Sequence, residues 1–299
     1  MTEKLVELYK RNFPYLKADE DTARNLFSNK DNKVFERYNR FGELIAASVI
    51  YRNTIIMLAV DEKYRDHGIG SALLELSEDY IKNAGFDKVV FGVGASDYLA
   101  PGVPSSEKLV DVTGAYPDKP WESIDNSGRE FLKKRGYVHK SDGNIFDMDL
   151  CFDDVEPYEI SVGDTVDGVT YRFAELSDKD SVIACCDSGA DYFTSFYKNN
   201  ELYSDGEERV FVACMDGEVV GNLLISTYGE PGTIGCVTVS PKARGKKVGT
   251  RMCIAATSYI RQKGLKTSFL SYTYSGLDKM YGAAGYRVCI YYFMAQKEL

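Results

Sequence analysis

The stretch Val60-Asp61-Glu62-Lys63-Tyr64-Arg65-Asp66-His67-Gly68-Ile69-Gly70-Ser71 returns 179 residues later as Val239-Ser240-Pro241-Lys242-Ala243-Arg244-Gly245-Lys246-Lys247-Val248-Gly249-Thr250. Valine, lysine, arginine and the last glycine coincide, and the register continues with Tyr80-Ile81-Lys82 over Tyr259-Ile260-Arg261 and Gly85 over Gly264. Each copy is preceded by an apolar run, Thr54–Val60 or Thr233–Val239, that reads as a strand. Each is followed by a helical pattern, 71–84 or 250–263, closed by a glycine suited to a helix C′ position. A short strand comes next, Lys88–Val93 or Thr267–Tyr272, and later a helix ending in Gly136-Tyr137 or Gly285-Tyr286. Upstream in the second copy, Val210–Cys214 and Val219–Ile225 flank Asp216-Gly217, which predicts a β-hairpin. The first copy turns less clearly near Phe41-Gly42-Glu43. An internal repeat of this length in 299 residues predicts two domains.

The acidic segment 153–168, with Pro157, Gly163 and Gly168, reads as the linker, which sets the domains at 1–155 and 165–299. Between its last strand and last helix the first copy carries 30 residues more than the second, at about 94–127. Four prolines and the single tryptophan, Trp121, mark this insertion as an ordered lid or interface loop. Fewer residues precede Val60 than separate Gly168 from Val239, so the opening strand of the first sheet is expected to be missing or supplied from elsewhere.

Composition narrows the function. The chain is 44% hydrophobic and 27% charged, in the globular range. A net charge of −9, divided almost evenly between the halves, offers no basic face for nucleic acid. No apolar run is long enough to span a membrane, and the opening Met1-Thr2-Glu3-Lys4-Leu5 lacks the pattern of a signal peptide. Seven cysteines without a Cys-x-x-Cys, and only two histidines, predict cytoplasmic thiols and no metal site.

A glycine-containing loop between a strand and a helix offers unpaired backbone N–H groups and the positive end of a helix dipole, a geometry that binds pyrophosphate. This twice-used constellation resembles the GNAT superfamily of acyl-CoA-dependent N-acyltransferases. Val60 with Arg65-Asp66-His67-Gly68-Ile69-Gly70 fits the family's loop; Arg244-Gly245-Lys246-Lys247-Val248-Gly249 fits except for Lys247, where the family has glycine. Met280-Tyr281-Gly282-Ala283-Ala284-Gly285-Tyr286 looks like the family's Leu-Tyr-x-x-x-Gly-Phe segment. The resemblance implies an α/β fold of two tandem GNAT-like domains, each a mixed, mainly antiparallel sheet flanked by helices.

It also implies acetyl-CoA as cosubstrate and a small-molecule amine as acceptor. The cofactor-binding residues are then Val60, Arg65, Asp66, His67, Gly68, Ile69, Gly70 and Ser71 in the first copy, and Val237, Val239, Arg244, Gly245, Lys246, Lys247, Val248, Gly249 and Thr250 in the second. In the family the tyrosine four residues before the helix-end glycine protonates the departing thiolate. That position is Tyr281 in the second copy and Leu132 in the first, which assigns catalysis to the second. Main-chain donors around Cys236 to Val239 are expected to face the oxyanion. Asp278, Tyr272, Tyr274 and a chain of waters stand as alternatives for the base. Lys133-Lys134-Arg135 reads as a helix C-terminus and Cys185-Cys186 as core. The run Asp97–Pro104 is similar to a Pro-Gly-Val stretch in tandem members of the glucosamine or glucosaminide N-acetyltransferase type, which implies an amino-sugar acceptor. The contrasting expectation is a pair of acyl-CoA-binding domains without turnover.

Overall fold

The computed structural model describes residues 1–16, 18, 20–92 and 99–299. The expected strand end at Val93 and the first residues of the insertion, 94–98, lie outside the described residues. In chain order the elements are α1 (Thr2–Asn12), α2 (Glu20–Ser28), β1 (Lys33–Tyr38), β2 (Leu44–Tyr51), β3 (Thr54–Val60), α3 (Ile69–Asn83), β4 (Lys88–Phe91), β5 (Val103–Ser105), α4 (Ser127–Lys133), β6 (Val138–His139) and β7 (Ile145–Cys151). They continue with β8 (Thr165–Val166), β9 (Val169–Phe173), α5 (Lys179–Gly189), β10 (Glu208–Met215), β11 (Glu218–Ser226), β12 (Gly232–Val239), α6 (Val248–Gln262), β13 (Thr267–Tyr274), α7 (Asp278–Gly282), β14 (Arg287–Phe293) and β15 (Ala295–Glu298).

Two units result. The first comprises Met1–Leu109, Pro120–Phe146 and Ile290–Leu299; the second comprises Val110–Lys119 and Asp147–Cys289. This division differs from a single cut within 153–168, because strand pairing sends the last ten residues to the first unit and residues 147–155 to the second.

The first sheet has the order β1-β2-β3-β4-β15-β6. Only β3 and β4 pair in parallel, while β1-β2, β2-β3, β4-β15 and β15-β6 are antiparallel. The run Leu44–Ile50 in β2, apolar but for Ser48, is buried throughout, as a strand covered on both faces must be. Leu5, Leu8, Leu26 and Phe27 of α1 and α2 pack with Leu44, Val49 and Met57. Leu74 and Ile81 of α3 pack with Ile50, Ile55 and Val89. Each such leucine or isoleucine contributes about 1.5–3 kcal/mol by leaving water. Residues 1–15 hold α1 and no strand, and the sheet opens with β1, as expected from the short N-terminal stretch.

In the second unit the strands run in the order β13-β12-β11-β10-β9-β8, with β12 and β13 parallel. The Asp-Gly hairpin forms as expected: Asp216 and Gly217 take φ of +53° and +80° between β10 and β11. Val182, Cys185 and Cys186 of α5 are buried with Val210, Val212 and Val219, so Cys185-Cys186 is core. The insertion is ordered over its described part: Trp121 is buried with its ring 5.2 Å from that of Tyr291 in the first unit. In the second unit, Tyr116 donates to Asp149 at 2.6 Å.

Candidate functional site

In each unit the parallel strand pair parts early. β3 and β4 are paired only at Thr54↔Val90 and Ile55↔Phe91; β12 and β13 only at Gly232↔Ser268 and Thr233↔Phe269. Beyond those pairs one edge of β3 or β12 has no neighbouring strand among the described residues. Asp61 N–H donates to Ile45 on β2, so alternation turns the N–H groups of Leu58 and Val60 to the open edge. In the second unit Ser240 N–H donates to Val220, which likewise leaves Val239 and Val237 facing the opening.

The loops that follow share one backbone form. Arg65 Nε donates to Val60 O at 3.0 Å and Arg244 Nε to Val239 O at 3.3 Å, folding each loop back onto its strand. Two positions in each loop are left-handed: Asp66 (φ +62°) and Gly68 (+78°), and Gly245 (+77°) and Lys247 (+60°). Glycine and a side-chain residue have therefore traded places, and Lys247 adopts the conformation of the glycine it replaces. Helical bonding begins with Ala72 N–H to Gly68 O and with Arg251 N–H to Lys247 O. The N–H groups of 69–71 and 248–250 thus have no acceptor within their helices. Both helices start two residues earlier than the sequence pattern suggests, directly after the left-handed cap. At Gly249 a side chain would meet Met280 Sδ at 2.9 Å, so glycine is what lets α6 seat against α7.

The first unit holds a cleft of about 710 Å³ along the open edge of β3. Of the residues expected from sequence, Val60, Arg65, Asp66, Gly68, Gly70 and Ser71 line it. His67 is exposed, with Nδ1 2.6 Å from Arg65 O, and Ile69 is half-buried in the first turn of α3. Leu132 lines the cleft at the position where a proton donor would stand. Of the run Asp97–Pro104 that the sequence singles out, Leu99, Ala100, Gly102, Val103 and Pro104 line the cleft. Sequence reasoning missed two features of this site: Asp125 pairs with Arg65 at 3.1 Å, and Arg135 turns from its helix end into the cleft. Burial, with Asp125 adding to it, pushes the Tyr15 hydroxyl at the mouth up to about 12.

In the second unit β12 bulges at Cys236, whose φ is +51°, opposite the register shift between Asn222 and Leu224. Burial drives the Cys236 thiol up to about 12, which keeps it protonated and unsuited to nucleophilic attack. Arg244, Gly245, Lys246 and Lys247 are exposed, Val248 and Gly249 are buried, and Thr250 is half-buried. Arg244 also donates to Gly189 O at 3.2 Å.

Tyr281 on α7 is buried, and its hydroxyl stands well above its ordinary pKa. Burial is the main cause, with smaller contributions from Cys253, Tyr274, Tyr286 and Cys236 around it. The hydroxyl is therefore neutral, a donor by default. Asp278, one turn earlier, is fully engaged: it accepts from Thr113 N–H (2.8 Å), Thr113 Oγ1 (2.7 Å) and Gly276 N–H (2.9 Å). Burial opposes its ionisation, but these hydrogen bonds prevail and hold the carboxyl below its usual value, and they tie it to Thr113 of the insertion. Tyr272 and Tyr274 are exposed, as is Tyr192.

Residues 2–100 and 173–286 match the model of the acetyltransferase (GNAT) family. No curated protein matches the chain. Among solved structures it is similar to the GCN5-related glucosamine N-acetyltransferase region of a fungal multi-domain GH3 β-N-acetylglucosaminidase, at 17% identity and a TM-score of 0.74. That match covers 99% of this chain but spans only 37% of the other's length. It is similar also to a tandem GNAT protein from the clavulanic acid biosynthesis pathway, at 14% identity and a TM-score of 0.69, covering 99% and 94% of the two chains. A GCN5-related N-acetyltransferase from Sphaerobacter thermophilus matches at 17% identity and a TM-score of 0.67, covering 99% and 91%. At these identities the likeness is one of fold.

Proposed function

The chain belongs to the acetyltransferase (GNAT) family, and from that premise we propose that it transfers acetyl from acetyl-CoA to the primary amine of a small molecule, in its second unit. The observation that carries the reading is the presence, in one unit, of an open β12 edge and a tyrosine kept neutral by burial. The pyrophosphate sits on the first-turn N–H groups of α6, with Lys246 and Lys247 adding charge. The main chain from Cys236 to Val239 faces the thioester carbonyl and donates to the oxyanion as the amine lone pair attacks. The amine proton leaves to water. As the C–S bond breaks, Tyr281 supplies the proton that the thiolate takes up.

An amino sugar is the acceptor this reading favours, by likeness to the glucosamine N-acetyltransferase region. The exposed rings of Tyr192, Tyr272 and Tyr274 offer faces for such a ring. Seven free thiols support a cytoplasmic setting.

The first unit carries a second reading. Its cleft has the loop, but Leu132 has no proton to give. We assign it the holding of acyl-CoA without turnover. Thiol release from acetyl-CoA across a panel of amines, glucosamine included, tests the enzyme reading. If no amine raises the rate above the buffer blank, that reading fails and acyl-CoA binding alone is left.

A further inference from the structure

The two loops differ in charge. Arg244, Lys246 and Lys247 stand in the second with no carboxylate among 244–247, whereas the first has Arg65 beside Asp66. Arg65 is also occupied: Nη1 donates to Asp125 Oδ2 at 3.1 Å and Nη2 to Asn12 Oδ1 at 3.4 Å. A pyrophosphate docking on the first loop would meet a nearly neutral surface.

A cation stands beside that loop from another element. Just past the end of α4, the Arg135 guanidinium donates to Phe131 O at 2.9 Å and to Ser71 Oγ at 2.6 Å, and it lies 3.7 Å from the centre of the Phe131 ring. It is half-buried, pairs with no carboxylate among the described residues, and lines the cleft together with Gly68, Gly70 and Ser71. The repeat places Ala284, which has no charge, at the corresponding position of the second copy. A guanidinium has five N–H donors, and two partners leave several for a ligand. Stacking on Phe131 fixes its orientation before any ligand arrives, so little freedom is lost on binding.

We propose that Arg135 is the phosphate-binding cation of the first unit, supplying from α4 the charge that the second unit carries in its loop. The proposal rests on the reading of the first unit as an acyl-CoA site. Its ligand chemistry is the phosphate portion of a CoA ester, and the pantetheine arm alone would not engage it.

Calorimetric titration of the full chain tests this, with CoA and, separately, pantetheine. The wild type should show two CoA sites. Arg135→Gln should weaken one of them by about ten- to a hundredfold, the effect of losing charge-assisted hydrogen bonds, and leave pantetheine unchanged. The salt dependence of that site should flatten. Arg135→Lys, which keeps the charge and the aliphatic stem, should recover part of the loss and separates a binding defect from a folding one. Equal weakening of CoA and pantetheine, or two unaltered CoA sites in Arg135→Gln, overturns the proposal. A single CoA site in the wild type overturns the underlying reading of the first unit instead.

Discussion

Tyr197 donates a hydrogen bond of 2.5 Å to the carbonyl of Cys236, the residue at which β12 bulges toward the open edge. Tyr197 is fully buried, and its own carbonyl accepts from the Tyr203 hydroxyl at 2.9 Å, so two tyrosines in series hold the bulge from below. A left-handed backbone at a residue with a side chain costs roughly 1–2 kcal/mol, which a buried hydrogen bond of this kind can offset. Tyr197→Phe leaves the packing but frees the carbonyl. We expect kcat to fall by about tenfold, the worth of one buried hydrogen bond, measured at a temperature where the variant is fully folded. A lowered melting temperature with unchanged kcat would reduce Tyr197 to a packing residue.

Tyr281→Phe removes only a hydroxyl and keeps the buried ring in place. The turnover number should drop by about 10²–10⁴, the range for general acid catalysis. The acetyl-CoA KM should hardly move, because only the transition state uses the proton. Steady-state kinetics with a substrate amine decide it, and an unchanged kcat removes Tyr281 from the chemistry.

Lys247→Gly separates conformation from charge. Lys247 sits at φ +60°, where glycine is unstrained, so the variant should be stabilised by up to about 1 kcal/mol. Its CoA affinity in the second unit should fall several-fold through loss of a cation beside the pyrophosphate. Thermal unfolding and calorimetry should move in opposite directions. Tighter CoA binding would show that the lysine is tolerated in the loop and contributes nothing there.

His139 sets a pH dependence. Its Nδ1 accepts from Met294 N–H at 3.0 Å and its Nε2 lies 3.2 Å from Gly143 O, an arrangement that suits the neutral ring. Burial, with Arg129 assisting, lowers its pKa, although the Gly143 carbonyl opposes the shift. The unfolded chain therefore binds the proton more readily than the folded one. The contribution of this group is complete above the unfolded value of about 6.5 and is lost as pH falls from there through the folded pKa. Denaturant melts from pH 8 to pH 5 should show this decline, and it should be smaller in His139→Gln.

Deleting residues 295–299 removes β15 from between β4 and β6. Both neighbours then expose unpaired backbone groups, and the buried Ala295 leaves the core that holds Ile81 and Val89. The first unit should melt separately and earlier, read as a new low-temperature transition in calorimetry. A single unshifted transition would mean that β15 adds little to that sheet.

The sequence by itself determined the repeated strand, loop and helix, because their signals are local. An apolar run, an arginine that can reach back to its own strand, and glycine at a left-handed position are each readable within a dozen residues. The Asp216-Gly217 hairpin and the Tyr281–Leu132 contrast were legible for the same reason. Tertiary structure decided the rest. Backbone pairing carries no residue-specific code, so nothing in Ala295–Glu298 announces that it completes the first sheet, or in Ile145–Cys151 that it lies between β13 and β14. The roles of Asp278, bound to Thr113 across 165 positions, and of Arg135, bound to Ser71 across 64, depend on partners far away in the chain. Charge and hydrogen-bonding capacity are written in the residue; whether they are spent on the fold or left for a ligand is set only by what folding brings beside them.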